Sequence, residues 1–265
     1  MIIPFLLIIL TLAACGSDKQ ELTTLVFGRG SDSVGLDPGL ETDGESFKVC
    51  DNIYETLVAY DSESTAILPQ LAHSWDVSAD QLTWTFHLQR GVHFHDDTVF
   101  NAEAMLFSLG RQFYKDHPHH KVEGGYRYWK DMGMDDILAE LTASDDSTFV
   151  IRLKKPNAPF LSNLAMNFCA AVSPTAIKKY GRDYFKNPVG TGPFRFLEWR
   201  KDERIVLARN DNYWGPKAKL DRLIFKPIQE AAIRFLELSQ GTVQGLDNLN
   251  PEYIDEIRDN PELQL

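Results

Sequence analysis

Two histidine-rich segments contain the residue types of a metal site. The segment from His93 to His95, with Asp96 and Asp97, places nitrogen and oxygen donors at close spacing, and such donors bind divalent transition metals. The segment from His117 to His120 contributes three more imidazoles that could collect a metal or haem. A polar turn and a solvated loop explain the same residues. We favour these structural interpretations, so the sequence predicts neither a metal site nor a cofactor.

Catalytic signatures are missing from the sequence. It contains no nucleophile elbow, phosphate-binding loop, HExxH motif or dinucleotide fingerprint. The pair Gly28 and Gly30 lacks the third glycine of that fingerprint. The acidic pairs Asp135–Asp136 and Asp145–Asp146 lie beside polar turns and indicate solvated faces. We therefore expect a protein that is not an enzyme.

The N-terminus has the pattern of an export signal. Residues 1–14 are nearly all apolar, but they are too few to span a bilayer, which takes about 20 residues. They have the length of a signal-peptide core, and Leu12-Ala13-Ala14-Cys15 resembles the bacterial lipobox. This pattern predicts a lipoprotein signal peptide over 1–14 and lipidation of Cys15. The protein would then be exported and lipid-anchored, facing the periplasm or the cell exterior. The alternative is an ordinary secretory signal with an incidental cysteine.

Cys50 and Cys169 are the other two of three cysteines. An even pair in an exported protein can form a disulfide. However, neither residue lies in a CxxC or Cys-His context. We favour two buried free thiols.

Charge and composition narrow the partners. The 265 residues include 43% apolar residues and carry a net charge of −11. This is an ordinary globular balance, and its acidity argues against nucleic acid as a partner.

Apolar periodicity predicts a mixed α/β protein. Alternation from Leu82 to Leu88 predicts a half-buried strand, and Asn101 is a suitable N-cap for a helix over 102–113. Helical spacing extends from Phe47 to Tyr60. Other predicted strands cover 24–27, 149–153, 167–172, 194–199, 205–208, 220–227 and 242–249; other predicted helices follow Asn157, Ser173 and Asn250 or cover 231–240.

Several phrases, in a fixed order, resemble one protein family. Gly190-Thr191-Gly192-Pro193-Phe194 is followed by Asn210-Asp211-Asn212-Tyr213-Trp214-Gly215, and Phe94-His95-Asp96 occurs earlier. These phrases are similar to the extracellular solute-binding proteins of family 5, the peptide and nickel receptors of ABC importers. The aromatic, glycine-rich segment 120–128 is most similar to the dipeptide-binding branch.

This resemblance implies a type II periplasmic-binding-protein fold, the two-lobed α/β "Venus flytrap". Residues 15–50 plus 187–265 would form an incomplete first lobe, and 51–186 a smaller inserted lobe. The second, ligand-clamping lobe would be absent. The implied function is that of a monomeric lipoprotein that captures dipeptides or short oligopeptides and delivers them to a membrane permease and its ATPase. A nickel or haem receptor on the same scaffold is the alternative.

The resemblance also implies the positions of the ligand contacts. The loop Thr42-Asp43-Gly44 would touch the ligand backbone, and the Asp43 carboxylate could meet an α-amino group or exclude acidic ligands. Further candidates from the resemblance are Arg29, Gly30, Ser31, Tyr126, Tyr128 and Trp129.

Overall fold

The computed structural model describes residues 22–120 and 125–264. The predicted signal peptide and Cys15 lie outside the described residues. Among those that are described, no helix is both long enough and apolar enough to cross a membrane.

The described residues form short strands and helices that occur in runs along the chain. The strands are β1 Thr24–Arg29, β2 Val58–Tyr60, β3 Ile67–Pro69, β4 Ala72–Val77, β5 Thr83–Leu88, β6 Leu138–Asp145, β7 Thr148–Leu153, β8 Phe194–Arg200, β9 Arg204–Arg209, β10 Arg222–Pro227 and β11 Gly245–Leu246. The helices are α1 Gly44–Ile53, α2 Ala102–Phe113, α3 Arg127–Asp131, α4 Met134–Ile137, α5 Phe160–Leu164, α6 Pro174–Tyr180, α7 Ala231–Ser239 and α8 Ile254–Asp259. Three short 3₁₀ helices cover Asn167–Cys169, Gly181–Lys186 and Pro251–Tyr253.

The first large sheet joins both ends of the described chain. Its strand order is β11-β1-β10-β9-β8. Strand β1 is parallel to both β10 and β11, whereas β8, β9 and β10 pair in antiparallel fashion. The parallel centre therefore brings residues near position 30 close to residues near positions 228 and 247.

The second large sheet has the order β4-β5-β7-β6 and is antiparallel. One apolar core, called the second core below, packs on this sheet and α2, with Phe86, Met105 and Phe149 fully buried. A separate core, called the first core, packs on the first sheet, α1 and α6, and includes Ile53 and Ile205. Ile177 and Tyr184 pack in this first core, although they fall within the range predicted for the inserted lobe. The lobe boundaries stay a prediction.

A buried carboxylate lies where the chain crosses between the cores. Glu55 is 3% exposed. Its Oε2 accepts hydrogen bonds from Thr191 Oγ1 at 2.7 Å and Trp214 Nε1 at 2.9 Å, and its Oε1 accepts one from the Tyr213 hydroxyl at 2.7 Å. Its backbone carbonyl accepts the N–H of Ala171 at 2.8 Å. Ala171 lies where the chain returns from the second core to the first. Burial raises the pKa of the Glu55 carboxyl, and the three donors oppose that shift.

The Gly190–Gly192 loop closes on the end of α1. Gly192 N–H donates to Ile53 O at 2.9 Å, and a Cβ on Gly192 would lie 2.8 Å from the Asn52 carbonyl oxygen. Only glycine allows this approach. His95 Nε2–H donates to Gly192 O at 2.9 Å, so this histidine belongs to the turn that supports the loop. Burial lowers the pKa of His95 to about 4.

Several predicted elements have the predicted bounds, and others differ. Helix α2 covers the predicted residues, with Asn101 accepting the Ala104 N–H. The predicted helix over 47–60 was wrong at its end, because α1 ends at Ile53 and Val58–Tyr60 pairs with Ile67–Pro69 instead. The predicted strand over 167–172 was also wrong. It begins as a 3₁₀ turn, and the strand predicted over 242–249 shortens to Gly245–Leu246.

We expect Phe86→Ala to lower the free energy of unfolding by about 3–5 kcal/mol, since it would leave a cavity in the second core. Phe86 is fully buried. Denaturant titration measures the loss. Val77→Ala, at a position 41% exposed, is the control and should cost about 0.5 kcal/mol or less. Equal losses from the two substitutions would contradict the core assignment.

Candidate functional site

The loop Thr42–Gly44 lies near the carboxyl ends of the parallel strands β1 and β11, because the adjoining first turns of α1 contact Arg29 at the end of β1 and Asp247 just after β11. Open α/β sheets commonly bind ligands outside these strand ends. Thr42 and Gly44 are exposed. Asp43 forms the N-cap of α1, where its Oδ1 accepts the Ser46 N–H at 2.8 Å.

Asp43 retains acceptor capacity beyond the cap. Its Oδ2 is buried and has no hydrogen-bond partner within the described residues. A buried acceptor without a donor is costly. The carboxylate therefore suits a ligand that brings its own N–H donor.

A second group of charges borders the loop. Lys48 Nζ bonds Glu45 Oε1 at 3.0 Å and contacts the carboxylate of Asp247. Glu45 Oε2 and Asp247 Oδ1 are buried without a partner in the described part of the chain. These residues and Asp43 form a rim around the loop, and this rim offers more hydrogen-bond acceptors than donors.

Arg29 lies beneath this rim and is fully buried. Its guanidinium donates to Ser33 Oγ at 2.9 Å, to Glu45 O at 2.8 Å and to Asp32 Oδ1 at 2.9 Å. Burial lowers the pKa of Arg29, and the nearby carboxylates oppose this shift. The guanidinium braces the ends of two loops from inside the protein.

Gly30 and Ser31 complete the first loop. Ser31 is exposed. A Cβ on Gly30 would lie 3.8 Å from Arg234 Nη1 and 3.9 Å from Glu45 Oε1. The fold therefore brings the segment 29–31 beside the loop 42–44, while only part of it faces outward.

The three aromatic candidates occupy different environments. Tyr126 is 2% exposed and Trp129 is 1% exposed, so both fill the second core. Trp129 Nε1 donates to Asp135 at 2.8 Å. Tyr128 is partly buried, with its ring 5.5 Å from that of Phe47 on α1. Of these aromatic residues, Tyr128 makes the ring contact with α1. The ligand contacts of all the candidates stay predictions.

The histidine segments have structural contacts. His117 and His119 pack against Phe107, with ring centroids 5.0 and 5.5 Å away, and His120 Nδ1–H donates to Arg111 O at 2.8 Å. Over residues 22–120 and 125–264, no group of three or more His, Cys, Asp or Glu side chains is arranged to hold a metal ion. Cys50 and Cys169 are buried and unpaired.

Sequence reasoning missed Glu45, Lys48 and Asp247. Glu45 and Lys48 lie within α1, where they read as ordinary solvated charges. Asp247 is distant in sequence and reaches the rim because β11 pairs with β1 in parallel. Its position after a strand was the only available signal.

Asp43→Ala should lower the free energy of unfolding by about 1 kcal/mol, because α1 would lose its side-chain N-cap. Asp43→Asn keeps an acceptor for the Ser46 N–H and should cost less. Thermal or denaturant unfolding of both variants measures the difference. Equal stability of Asp43→Ala and the unsubstituted protein would contradict the capping role.

Residues 66–265 match the sequence profile of the bacterial extracellular solute-binding proteins, family 5 middle region. The chain is 34% identical to the dipeptide-binding protein of Escherichia coli over 98% of its length and 50% of that protein. It is also 34% identical to heme-binding protein A of Haemophilus influenzae, over 91% of this chain and 47% of that protein.

The fold has solved counterparts. The structure of the ABC transporter-associated periplasmic binding protein DppA from Helicobacter pylori, in complex with the peptide STSA, matches with a TM-score of 0.85 and 39% identity. That match covers 91% of this chain and 50% of the other. The predicted two-lobed periplasmic-binding-protein fold is confirmed, over about half the length of the relatives. The chain belongs to the bacterial extracellular solute-binding proteins of family 5.

Proposed function

We propose that this chain forms one wall of the peptide-binding cleft of a solute-binding protein that serves an ABC importer. The observation that carries the proposal is the acceptor-rich loop at the ends of the parallel strands. Asp43 and Glu45 each have a buried oxygen there without a donor among the described residues. Relatives of this chain are named for binding dipeptides.

The wall would hold a peptide through three kinds of contact. A charged α-amino group loses hydration when a cleft closes, so it needs an anionic partner. Asp43 or Glu45 would supply this partner. The backbone of Thr42–Gly44 would pair with the ligand backbone, and the Phe47–Tyr128 pair would pack against an apolar side chain. The ligand's opposite side would be covered by the part of the family fold outside the matched half.

The biological setting follows from the same proposal. The protein would be exported, would hold its ligand without catalysis and would present it to a membrane permease powered by an ATPase. Lipidation at Cys15 would keep it at the membrane. A monomer suffices for this role.

A haem or nickel receptor is a second candidate, because one relative is named for binding heme. In such a receptor, His117, His119 and His120 would supply imidazole nitrogens to the metal or haem. Calorimetry with haem, Ni²⁺ and dipeptide separates the candidates. Tight haem or Ni²⁺ binding, with none for dipeptide, would favour the second.

The wall of the cleft that this chain forms should recognise the α-ammonium group of the peptide. For the 265-residue polypeptide alone we expect weak dipeptide binding, about millimolar, since one wall leaves much of the ligand in water. An N-acetylated dipeptide should bind roughly tenfold more weakly still, a loss of about 1.4 kcal/mol. Calorimetry or NMR titration measures both affinities.

Asp43→Asn should reduce this preference, because the amide keeps the helix cap but removes the charge. Asp61→Asn, in the turn before β3, is the matched control and should keep the full preference. Equal binding of free and acetylated dipeptide by the unsubstituted protein would refute ammonium recognition by this wall.

Lipidation can be tested separately. In cells that process lipoproteins, we expect Cys15 to become the N-terminus and to carry a diacylglycerol, because Leu12-Ala13-Ala14-Cys15 resembles the lipobox. The two acyl chains of the diacylglycerol would give stable anchoring, which takes more than one chain. Mass spectrometry of the membrane fraction should detect it, and Cys15→Ser should release the protein from that fraction. An unmodified Cys15 in a soluble product would contradict the predicted lipidation.

A further inference from the structure

Glu41 directly precedes the loop Thr42–Gly44 and is 7% exposed. Its Oε1 accepts the Asp37 N–H at 3.4 Å, and its carboxyl bonds the Ser46 side chain. Gly35 packs against the same group, because a Cβ there would overlap Glu41 Oε1. This one carboxyl therefore joins the turn at Asp37, the loop and the first turn of α1.

The charges nearest to Glu41 are unfavourable for its ionised form. The carboxylates of Asp37 and Asp43 both face it. Arg111, on α2, directs both of its Nη atoms to Asp37, with Nη1 at 2.7 Å from Oδ2. The Arg111 guanidinium is thus already engaged by another carboxylate.

The remaining titratable neighbours offer no compensating charge. Burial raises the pKa of the Cys50 thiol, on α1, well above its usual value, and the Glu41 charge adds to this effect. The Tyr54 hydroxyl donates to Leu36 O at 2.8 Å and lies 3.0 Å from the Tyr184 hydroxyl. These neutral groups leave ionised Glu41 with a weak amide bond and a hydroxyl.

We propose that Glu41 is a proton-operated brace for the ligand loop: protonated, it holds Thr42–Gly44 against Gly35 and Ser46, and ionised, it loosens that loop and weakens ligand capture. The effect on loop order does not depend on the proposed function. The statement about capture rests on the proposed function.

The direction of the pH effect follows from the proton balance. Burial, with the Asp37 and Asp43 charges, raises the pKa of Glu41 from 4.5 to about 7. Between these two values the braced state keeps a proton that the open state has released. Bracing is therefore strongest at low pH, weakens as pH rises through this window and levels off above pH 7 or so.

Hydrogen exchange of the unliganded protein tests the brace. The amides of Ser46 and Phe47 bond to Asp43, so they report opening of the loop and first turn. After correction for intrinsic exchange chemistry, their opening should increase about tenfold between pH 6 and pH 8. Glu41→Gln should abolish this increase. Glu63→Gln, an exposed position, is the matched control and should retain it.

No pH-dependent opening in the unsubstituted protein would overturn the proposal. Should Glu41→Gln fail to fold, ¹³C titration of the Glu41 carboxyl in the unsubstituted protein decides instead. A midpoint near 7 supports the brace, and a midpoint near the ordinary value for glutamate refutes it.

The effect on capture is measured with a dipeptide at pH 6 and pH 8, comparing unsubstituted protein and Glu41→Gln at each pH so that titration of the peptide cancels. Affinity of the unsubstituted protein should fall several-fold more than that of the variant. An equal fall would overturn the link to capture. If no dipeptide binds at either pH, the proposed function fails, while the exchange result still decides the role of Glu41.

Discussion

A buried carboxylate at the crossing between two cores is the interaction on which the rest of the structure depends. Glu55 receives donors from Thr191, Tyr213 and Trp214 and accepts Ala171 N–H through its backbone. A buried anion is costly unless its oxygens are satisfied, and removing the anion leaves its donors unpaired. The arrangement therefore favours one relative placement of three parts of the chain. These are the segment at Glu55 that leaves the first core, the segment at Ala171 that returns to it, and the loops on either side of the β8–β9 hairpin.

That placement fixes the candidate site through α1. The helix begins at the cap formed by Asp43 and ends at Ile53, two residues before Glu55. Gly192 closes on its C-terminal end, and Arg29 braces its first turn through Glu45 O. Because both ends of α1 are held, Phe47 meets Tyr128 from the second core, and the acceptor-rich loop stays at the strand ends.

Local patterns predicted much of the fold, because α2, β5 and the β8–β9 hairpin are set by caps, alternation and turn residues. The family resemblance also singled out the loop at Asp43 as a ligand contact, and that contact stays a prediction. Burial was harder to predict. Arg29 is fully buried because distant carboxylates and carbonyls surround it, and Trp129 fills a core that local sequence does not define. Asp247 reaches the rim only because β11 pairs with β1 in parallel. Helix α1 ends earlier than predicted because the chain must cross between the two cores there.

Hydrogen exchange along the whole chain tests the central role of Glu55 most directly. In the unsubstituted protein, amides of β5 and β7 should open with the same free energy as those of β1 and β10, as one cooperative unit. In Glu55→Ala the two sheets should open with different free energies, whereas the exposed control Glu63→Ala should leave them together. Continued joint opening of both sheets in Glu55→Ala would contradict the account.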